Sequence, residues 1–371
     1  MRTILTIIGT RPEAIKLAPV ILELKKYPES FQSTVCVTAQ HRELLDQILS
    51  WFGITPDFDL DLMEENQQLA QFASRALSGI HDVLGKVSPD LVLVQGDTTT
   101  VMMAALASFY KKIPVGHVEA GLRTNDRYNP FPEEINRRVA GVLATYHFAP
   151  TKRAAQALVA EQVPRENIYI TGNTVVDALL WTIKSPVTLD LGFRLDEKRI
   201  ILVTAHRREN FGEPFISLCR ALRDVAERNP DVRIVYPVHP NPSVREPVGQ
   251  ILTGHPRIHL LDPLRYEIFS HLMNRAYLIL TDSGGIQEEA PVLGKPVLVM
   301  RNTTERPEAI EAGTARLVGT GRERIVEETE RLLKNNEHYQ RMASVQSPFG
   351  DGRAAERIVE ILRQKTLIAN S

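Results

Sequence analysis

Residues 3–16 read TILTIIGTRPEAIK, an apolar run (3–8) that passes directly into GTRPEAIK (9–16). A short, largely apolar run of that kind is how a strand buried on both faces of a parallel sheet reads. GTRPEAIK itself reads as a helix start. Gly9 permits a tight turn, and Pro12 suits the first helical position because its missing N–H would have no partner there. A helix N-terminus carries partial positive charge and free N–H groups. Arg11 lies in the turn and Lys16 one helical turn after Pro12, so the two can hold a phosphate or diphosphate; alternatively Arg11 pairs with an acid and Lys16 is solvated.

The same strand, turn and helix pattern repeats along the chain. Strands are read at RTILTIIGT, STVCVTAQ, DLVLVQGD, PVGHVEAG, YHFAP and NIYITGN, and then at RIILVTAH, VRIVYPVH, RIHLLDP, AYLILTDS and KPVLVM. Amphipathic stretches of helical period lie between them. The fold class is therefore α/β, with two doubly wound Rossmann-like domains facing across a cleft. The stretch SPVTLDLGFRLDEK (185–198) has neither period and reads as the linker region. The domains are set at 1–175 and 176–371, and the last helix, about 352–366, is expected to pack back on the N-terminal domain.

Composition narrows the function. The chain has 371 residues and a net charge of -1, so no global basic field holds nucleic acid or an anionic membrane. Its two cysteines, Cys36 and Cys219, sit on apolar-periodic segments and read as buried thiols of a reducing cytoplasm. No apolar stretch approaches the ~20 residues that cross a bilayer, and the N-terminal run lacks a cleavage site for secretion. The expectation is a soluble, cytoplasmic protein that binds any anion locally.

Polar residues gather where strands end: Arg11, Gln40 and His41, Asp97, Glu119, His206, His239, Asp282 with Ser283, and Arg301. In open parallel sheets those carboxyl ends line the ligand crevice. Asp97 either caps the helix that its three following threonines open or projects into the crevice. Glu119, at the end of a buried run, is costly unless paired or functional. Glu133 and Glu134 open a helix after Pro132, where acids complement the dipole in any case. His206 with two arginines, and His239 between prolines, each read as an anion-binding group or as a structural one. In TDSGGIQEEAP, Ser283 is expected to cap a helix whose Gly284 and Gly285 let backbone N–H groups approach a phosphate. Glu289, further along that helix, can accept ribose hydroxyls.

Other classes are excluded. His117 and Glu119 form an H-x-E pair without the P-C-x-x-C of a zinc deaminase. GIHDVLGKV (79–87) has one residue too many between its glycines for a P-loop, and no G-x-G-x-x-G follows the first strand. Cations at several turns, a Gly-Gly helix start and several carboxylates together fit a nucleotide sugar, with acid–base chemistry at the sugar.

In order along the chain, GTRPEAIK, QGDTTT, HVEAGLRT, PEEINR, TAHRREN, TDSGGIQEEAP and RNTTERPEA resemble the non-hydrolysing UDP-N-acetylglucosamine 2-epimerases. The resemblance implies a glycosyltransferase-B-like fold, a homodimer, and interconversion of UDP-GlcNAc and UDP-ManNAc without nicotinamide, metal or other cofactor. The implied route is anti elimination of UDP to 2-acetamidoglucal followed by re-addition, and the implied role is supply of ManNAc for a surface polysaccharide. It places Asp97, Glu119 and Glu133 among the catalytic carboxylates, overriding the structural reading of Glu133, with His206 beside the diphosphate. Arg11, Lys16, Ser283, Gly284, Gly285, Glu289 and Arg306 would bind UDP, with Phe269 near the uracil. Gln40, His41 and His239 match an allosteric UDP-GlcNAc site of bacterial members. Glu43 and Asn66 stand where Gln and Arg are expected there, which predicts weakened or absent activation. A hydrolysing 2-epimerase, a retaining glycosyltransferase of the same fold and a non-catalytic sugar-nucleotide sensor are the alternatives.

Overall fold

The structure, a computed structural model, describes residues 1–38, 42–62, 64, 67–193 and 198–365. It divides into two compact units, Met1–Ala178 with a returning segment that begins at Phe349, and Leu179–Pro348.

Unit 1 is built on a seven-stranded sheet of β1 (Arg2–Ile8), β2 (Phe31–Val37), β3 (Phe58–Asp59), β4 (Leu91–Gln95), β5 (Val115–Val118), β6 (Tyr146–Ala149) and β7 (Ile168–Ile170). The order is β3-β2-β1-β4-β5-β6-β7, and every pairing is parallel. The strands are apolar because helices cover the sheet: Leu5, Ile7, Val92 and Val94 share one core with Phe72, Ile80 and Val101 of those helices. Unit 2 repeats the plan with β8 (Arg199–Thr204), β9 (Val232–Pro237), β10 (Ile258–Leu261), β11 (Leu278–Thr281), β12 (Val297–Val299) and β13 (Ala315–Leu317). Their order is β10-β9-β8-β11-β12-β13, again all parallel. Two strands carry no signal in the sequence. The two residues of β3 and the three of β13 are too short to show a period.

Each sheet reverses its winding once, between β1 and β4 and between β8 and β11. At such a point the loops leaving the two strands run in opposite directions and open a crevice at the carboxyl edge. The loops concerned are those carrying Arg11 and Asp97 in unit 1, and His206 and Ser283 in unit 2.

The change of unit comes at Ala178/Leu179, inside the helix Thr174–Lys184 and ahead of the 185–198 stretch that carries the linker signals. The returning segment forms the helix Ala354–Gln364, which belongs to unit 1. Arg2 donates to the Lys365 carbonyl at 2.7 Å, and Arg363 lies over the Tyr27 ring. The first free N–H groups of that helix, from Ala354 and Ala355, go to the two oxygens of Asp177 at 3.2 and 2.8 Å. Burial pushes the Asp177 carboxyl up to about 6. Replacing Asp177 by alanine leaves both N–H groups without their acceptor. We expect a loss of about 0.5–2 kcal/mol in denaturant unfolding, with faster amide exchange at Ala354 and Ala355.

Candidate active site

The turn after β1 is more tightly specified than its sequence indicates. Gly9 is required by a neighbour, not by the bend: a Cβ there would lie 2.3 Å from Thr100 Oγ1. The helix Arg11–Leu24 follows with Pro12 in its first turn. Glu13, fully buried, folds back to accept the Gly9 N–H at 2.6 Å and the Thr10 hydroxyl at 2.8 Å. Burial raises its carboxyl to about 7, against the hydrogen bonds from Gly9, Thr10 and Thr98.

On the other side of the winding reversal, Thr98 caps the helix Thr99–Tyr110 by accepting the Val101 N–H. The Asp97 side chain is therefore not the cap; it pairs with Arg137. Asn136 adds a hydrogen bond to the Asp97 carbonyl at 3.0 Å. Asp97 keeps 30% side-chain exposure, yet the surrounding protein raises its pKa through lost hydration. Arg137 and Lys16 oppose that shift and the charge of Glu119 adds to it.

Glu119 leaves β5 in the left-handed region, with φ 64°. For a residue with a Cβ this costs on the order of 1–3 kcal/mol and persists only where the surroundings enforce it. Two donors meet on its Oε2: the Lys16 ammonium in an ion pair, and the Asn173 side-chain amide at 3.1 Å. His117, two residues earlier and buried, bonds through Nε2 to the Gly96 carbonyl at 2.7 Å, joining the β4 and β5 turns. Burial drives its pKa down to about 4, which keeps the ring neutral.

Glu133 and Glu134 open the helix Glu133–Leu143 as expected, but they diverge in role. Glu134 is buried and accepts from the N–H groups of Thr124 and Asn125 and from Arg138, a structural set of partners. Burial works to raise its pKa, and these donors bring it below the usual value. Glu133 has its Oε2 buried without a hydrogen-bond partner. One turn later on the same face stands Arg137, the partner of Asp97.

In unit 2 the organising group is Asp282, fully buried at the end of β11. Its Oδ2 accepts the backbone N–H groups of His206 and Arg207, both at 2.8 Å, locking the turn after β8. His206 stacks on His239 with ring centroids 5.2 Å apart. Lost hydration lowers the His206 pKa, Asp282 works against the shift, and His239 and Arg207 add to it. Ser283 stands at the N-cap of the helix Gly284–Glu289, but its hydroxyl makes no cap hydrogen bond, so the expected side-chain cap is not formed. A Cβ on Gly284 would lie 3.7–3.9 Å from Glu305, Arg207 and Arg306, so two arginines flank the helix start. Arg306 is paired with Glu288, and Arg301, buried, with Glu209 and Glu305. Glu289 turns back towards Gly285, and Phe269 lies half-buried on the helix Tyr266–Arg275.

The structure thus brings Lys16, Asp97 and Glu119 into one charged cluster in unit 1, with Arg11 opening the adjoining helix. His206, His239, Ser283, Gly284, Gly285, Glu289 and Arg306 lie at or near the carboxyl edge of the unit 2 sheet. Gln40, His41 and Asn66 lie outside the described residues, and Glu43 is exposed in the first turn of the helix Arg42–Trp51. Glu13, Arg137 and Asn173 do not stand out from the sequence as site residues. Asn173 has a signal, since it ends the strand-like NIYITGN. Among the described residues no group of three or more His, Cys, Asp or Glu side chains could hold a metal ion. No described helix is long and apolar enough to cross a membrane.

The family model described as UDP-N-acetylglucosamine 2-epimerase matches residues 23–363. The chain belongs to that family. It is 55% identical over 373 residues to the UDP-N-acetylglucosamine 2-epimerase of Escherichia coli O157:H7, covering 98% of this chain and 99% of that one. It is 50% identical to the Campylobacter jejuni enzyme of the same name, with 98% and 97% coverage. Among solved structures, the Neisseria meningitidis UDP-GlcNAc 2-epimerase bound to UDP-GlcNAc superposes with a TM-score of 0.90 at 48% identity, covering 98% and 100% of the two chains. The Methanocaldococcus jannaschii family member, in complex with UDP-GlcNAc and UDP, gives 0.81 at 34% identity with the same coverage. A glycosyltransferase-B-like pair of parallel α/β domains is consistent with these matches.

Glu13 makes a prediction that is independent of turnover. Its folded pKa, about 7, exceeds the ordinary 4.5, so between those values the folded chain holds a proton that the unfolded chain has released. Stability contributed by this group is complete below pH 4.5 and is lost as pH rises to 7 and beyond. Glu13→Gln removes that titration. Urea unfolding from pH 4.5 to 7.5 is expected to show a smaller fall in stability for the variant, by up to about 1.4 kcal/mol per pH unit at the steepest point.

Proposed function

We propose that this chain is a non-hydrolysing UDP-N-acetylglucosamine 2-epimerase that interconverts UDP-GlcNAc and UDP-ManNAc. The observation that carries the reading is the Lys16, Asp97 and Glu119 cluster at the winding reversal of the unit 1 sheet, in a chain that belongs to the family along nearly its whole length.

The C2 proton of an acetamido sugar is weakly acidic, and its removal is made feasible by departure of a good leaving group from C1. A carboxylate takes the C2 proton, the C–H electron pair becomes the C1–C2 double bond of 2-acetamidoglucal, and the C1–O bond to UDP breaks. Re-addition reverses these steps with the proton delivered to the opposite face of C2. No electrons are gained or lost overall, so proton transfer and charge stabilisation suffice. Asp97 and Glu119 act as this pair, each a base in one direction and an acid in the other. The two are electrostatically linked, since the charge of Glu119 adds to the rise in the Asp97 pKa. Glu133, whose buried Oε2 lacks a partner, assists at the sugar.

The leaving diphosphate needs positive charge where its negative charge develops. In unit 2, Arg207, Arg306 and the Ser283, Gly284, Gly285 backbone supply this, and the neutral His206 ring can donate a hydrogen bond; Arg11 and Lys16, which the family resemblance also assigns to UDP, lie at the β1 turn of unit 1. Glu289 takes the ribose hydroxyls, and Phe269 lies against the uracil. The same reading makes the protein a cytoplasmic homodimer that supplies ManNAc units for a surface polysaccharide. It includes weak or absent activation by a second UDP-GlcNAc, since Glu43 is an acid where a diphosphate would bind.

Proton NMR of the full chain with UDP-GlcNAc in D2O, with no cofactor added, tests the reaction. Both UDP sugars carrying deuterium at C2 are the expected products; free ManNAc with UDP would indicate hydrolysis instead. Glu119→Gln should lose turnover by about 10²-fold or more while retaining UDP binding by calorimetry. For the allosteric site, hyperbolic kinetics in UDP-GlcNAc are expected, and sigmoidal kinetics abolished by Gln40→Ala would overturn the expectation.

A further inference from the structure

We propose that Asn173 is a positioning residue for the reaction, holding the Glu119 carboxylate as an anion in its left-handed backbone position. This rests on the assignment of Glu119 to the C2 proton transfer.

Asn173 is 2% exposed, and each face of its amide is committed. The Oδ1 accepts the Val175 N–H at 3.1 Å, at the start of the helix Thr174–Lys184. A backbone N–H can only donate, so the oxygen must face it, and the NH2 group must face Glu119. Nδ2 then donates to Glu119 Oε2 at 3.1 Å. The orientation of the amide is therefore fixed by the helix start and not by the carboxylate. The backbone holds it as firmly, since the Asn173 N–H donates to the Phe349 carbonyl at 2.7 Å. Gly172 and Gly350 pack so closely beside it that a Cβ on Gly172 would lie 3.3 Å from the Gly350 Cα.

The charged and titratable groups acting on Glu119 include Lys16 from the Arg11 helix, Asp97 from the β4 turn and His117 of its own strand. Lys16 is a flexible cation on a long stem, and it is also assigned to the substrate. Asn173 is by contrast a rigid donor. With two donors on Oε2, the carboxylate plane is set before substrate arrives.

Asn173→Asp separates this role from a structural one. The aspartate is isosteric and still accepts the Val175 N–H, so it preserves the helix start while replacing the donor facing Glu119 with a second acid. The full-length wild type, Asn173→Asp and Asn173→Ser are compared for conversion of UDP-GlcNAc across pH 5–9, for UDP affinity and for thermal unfolding. We expect Asn173→Asp to lower kcat about tenfold or more near pH 7 and to move the acid limb of the kcat profile up by about one pH unit. UDP affinity should stay within about twofold of wild type. Asn173→Ser, which keeps a cap acceptor but loses the reach to Glu119, should lower kcat without adding charge, and decides the matter if the aspartate variant does not fold. An acid limb and kcat unchanged in Asn173→Asp, or an unchanged kcat in the serine variant alone, would overturn the proposal. A wild type that does not epimerise would instead overturn the functional assignment.

Discussion

A parallel strand covered by helices on both faces can keep a polar side chain inside only at a cost, so most of its polar groups gather at its ends. That constraint organises both units. The strand interiors are mainly Val, Ile and Leu, with buried exceptions such as Thr6, His117 and His147, and the charged groups are displaced to the turns at the carboxyl edge. The winding reversals at β1/β4 and β8/β11 then select which turns open a crevice. Asp97 and Arg11 in one unit, and His206 and Ser283 in the other, are adjacent because of strand order and not because of proximity in sequence.

Placing acids at that edge creates an electrostatic problem, solved differently in each unit. In unit 1 the acids are kept apart in character. Glu13, with three hydrogen-bond donors and no paired cation among them, is raised to about 7 by burial. Asp97 and Glu119 receive Arg137 and Lys16, so each carboxylate has a cation close by. In unit 2 the buried Asp282 commits one oxygen to two backbone N–H groups, and so shapes the turn that carries His206 and Arg207. One unit pairs its acids with cations, whereas the other uses a buried acid to fix the turn that carries His206 and Arg207.

The sequence is legible wherever a property is local. The apolar runs mark the long strands, and the polar residues at their ends mark Asp97, Glu119 and His206. Glu133 cannot be separated from Glu134 by position, because both suit a helix start; only the partners of Glu134 distinguish them. Gly9 reads as a turn requirement because Thr100, the residue that needs the space, arrives from a distant part of the chain. The roles of Asn173 and Arg137 are hidden for the same reason. Each gains its meaning from a carboxylate far away in sequence, and hydrogen bonds across that separation leave no periodicity to read.

The return of the chain to unit 1 after Pro348 has a consequence for biosynthesis. Unit 2 is in effect inserted between Ala178 and Phe349. As the chain emerges from the ribosome, the first sheet is synthesised early but lacks the helix that Asp177 anchors. Unit 2 is complete while its predecessor still exposes the apolar face of the Arg11 helix that the last helix will cover. The order of maturation is therefore the reverse of the order of synthesis, and the first unit remains the more vulnerable to misassociation until translation ends.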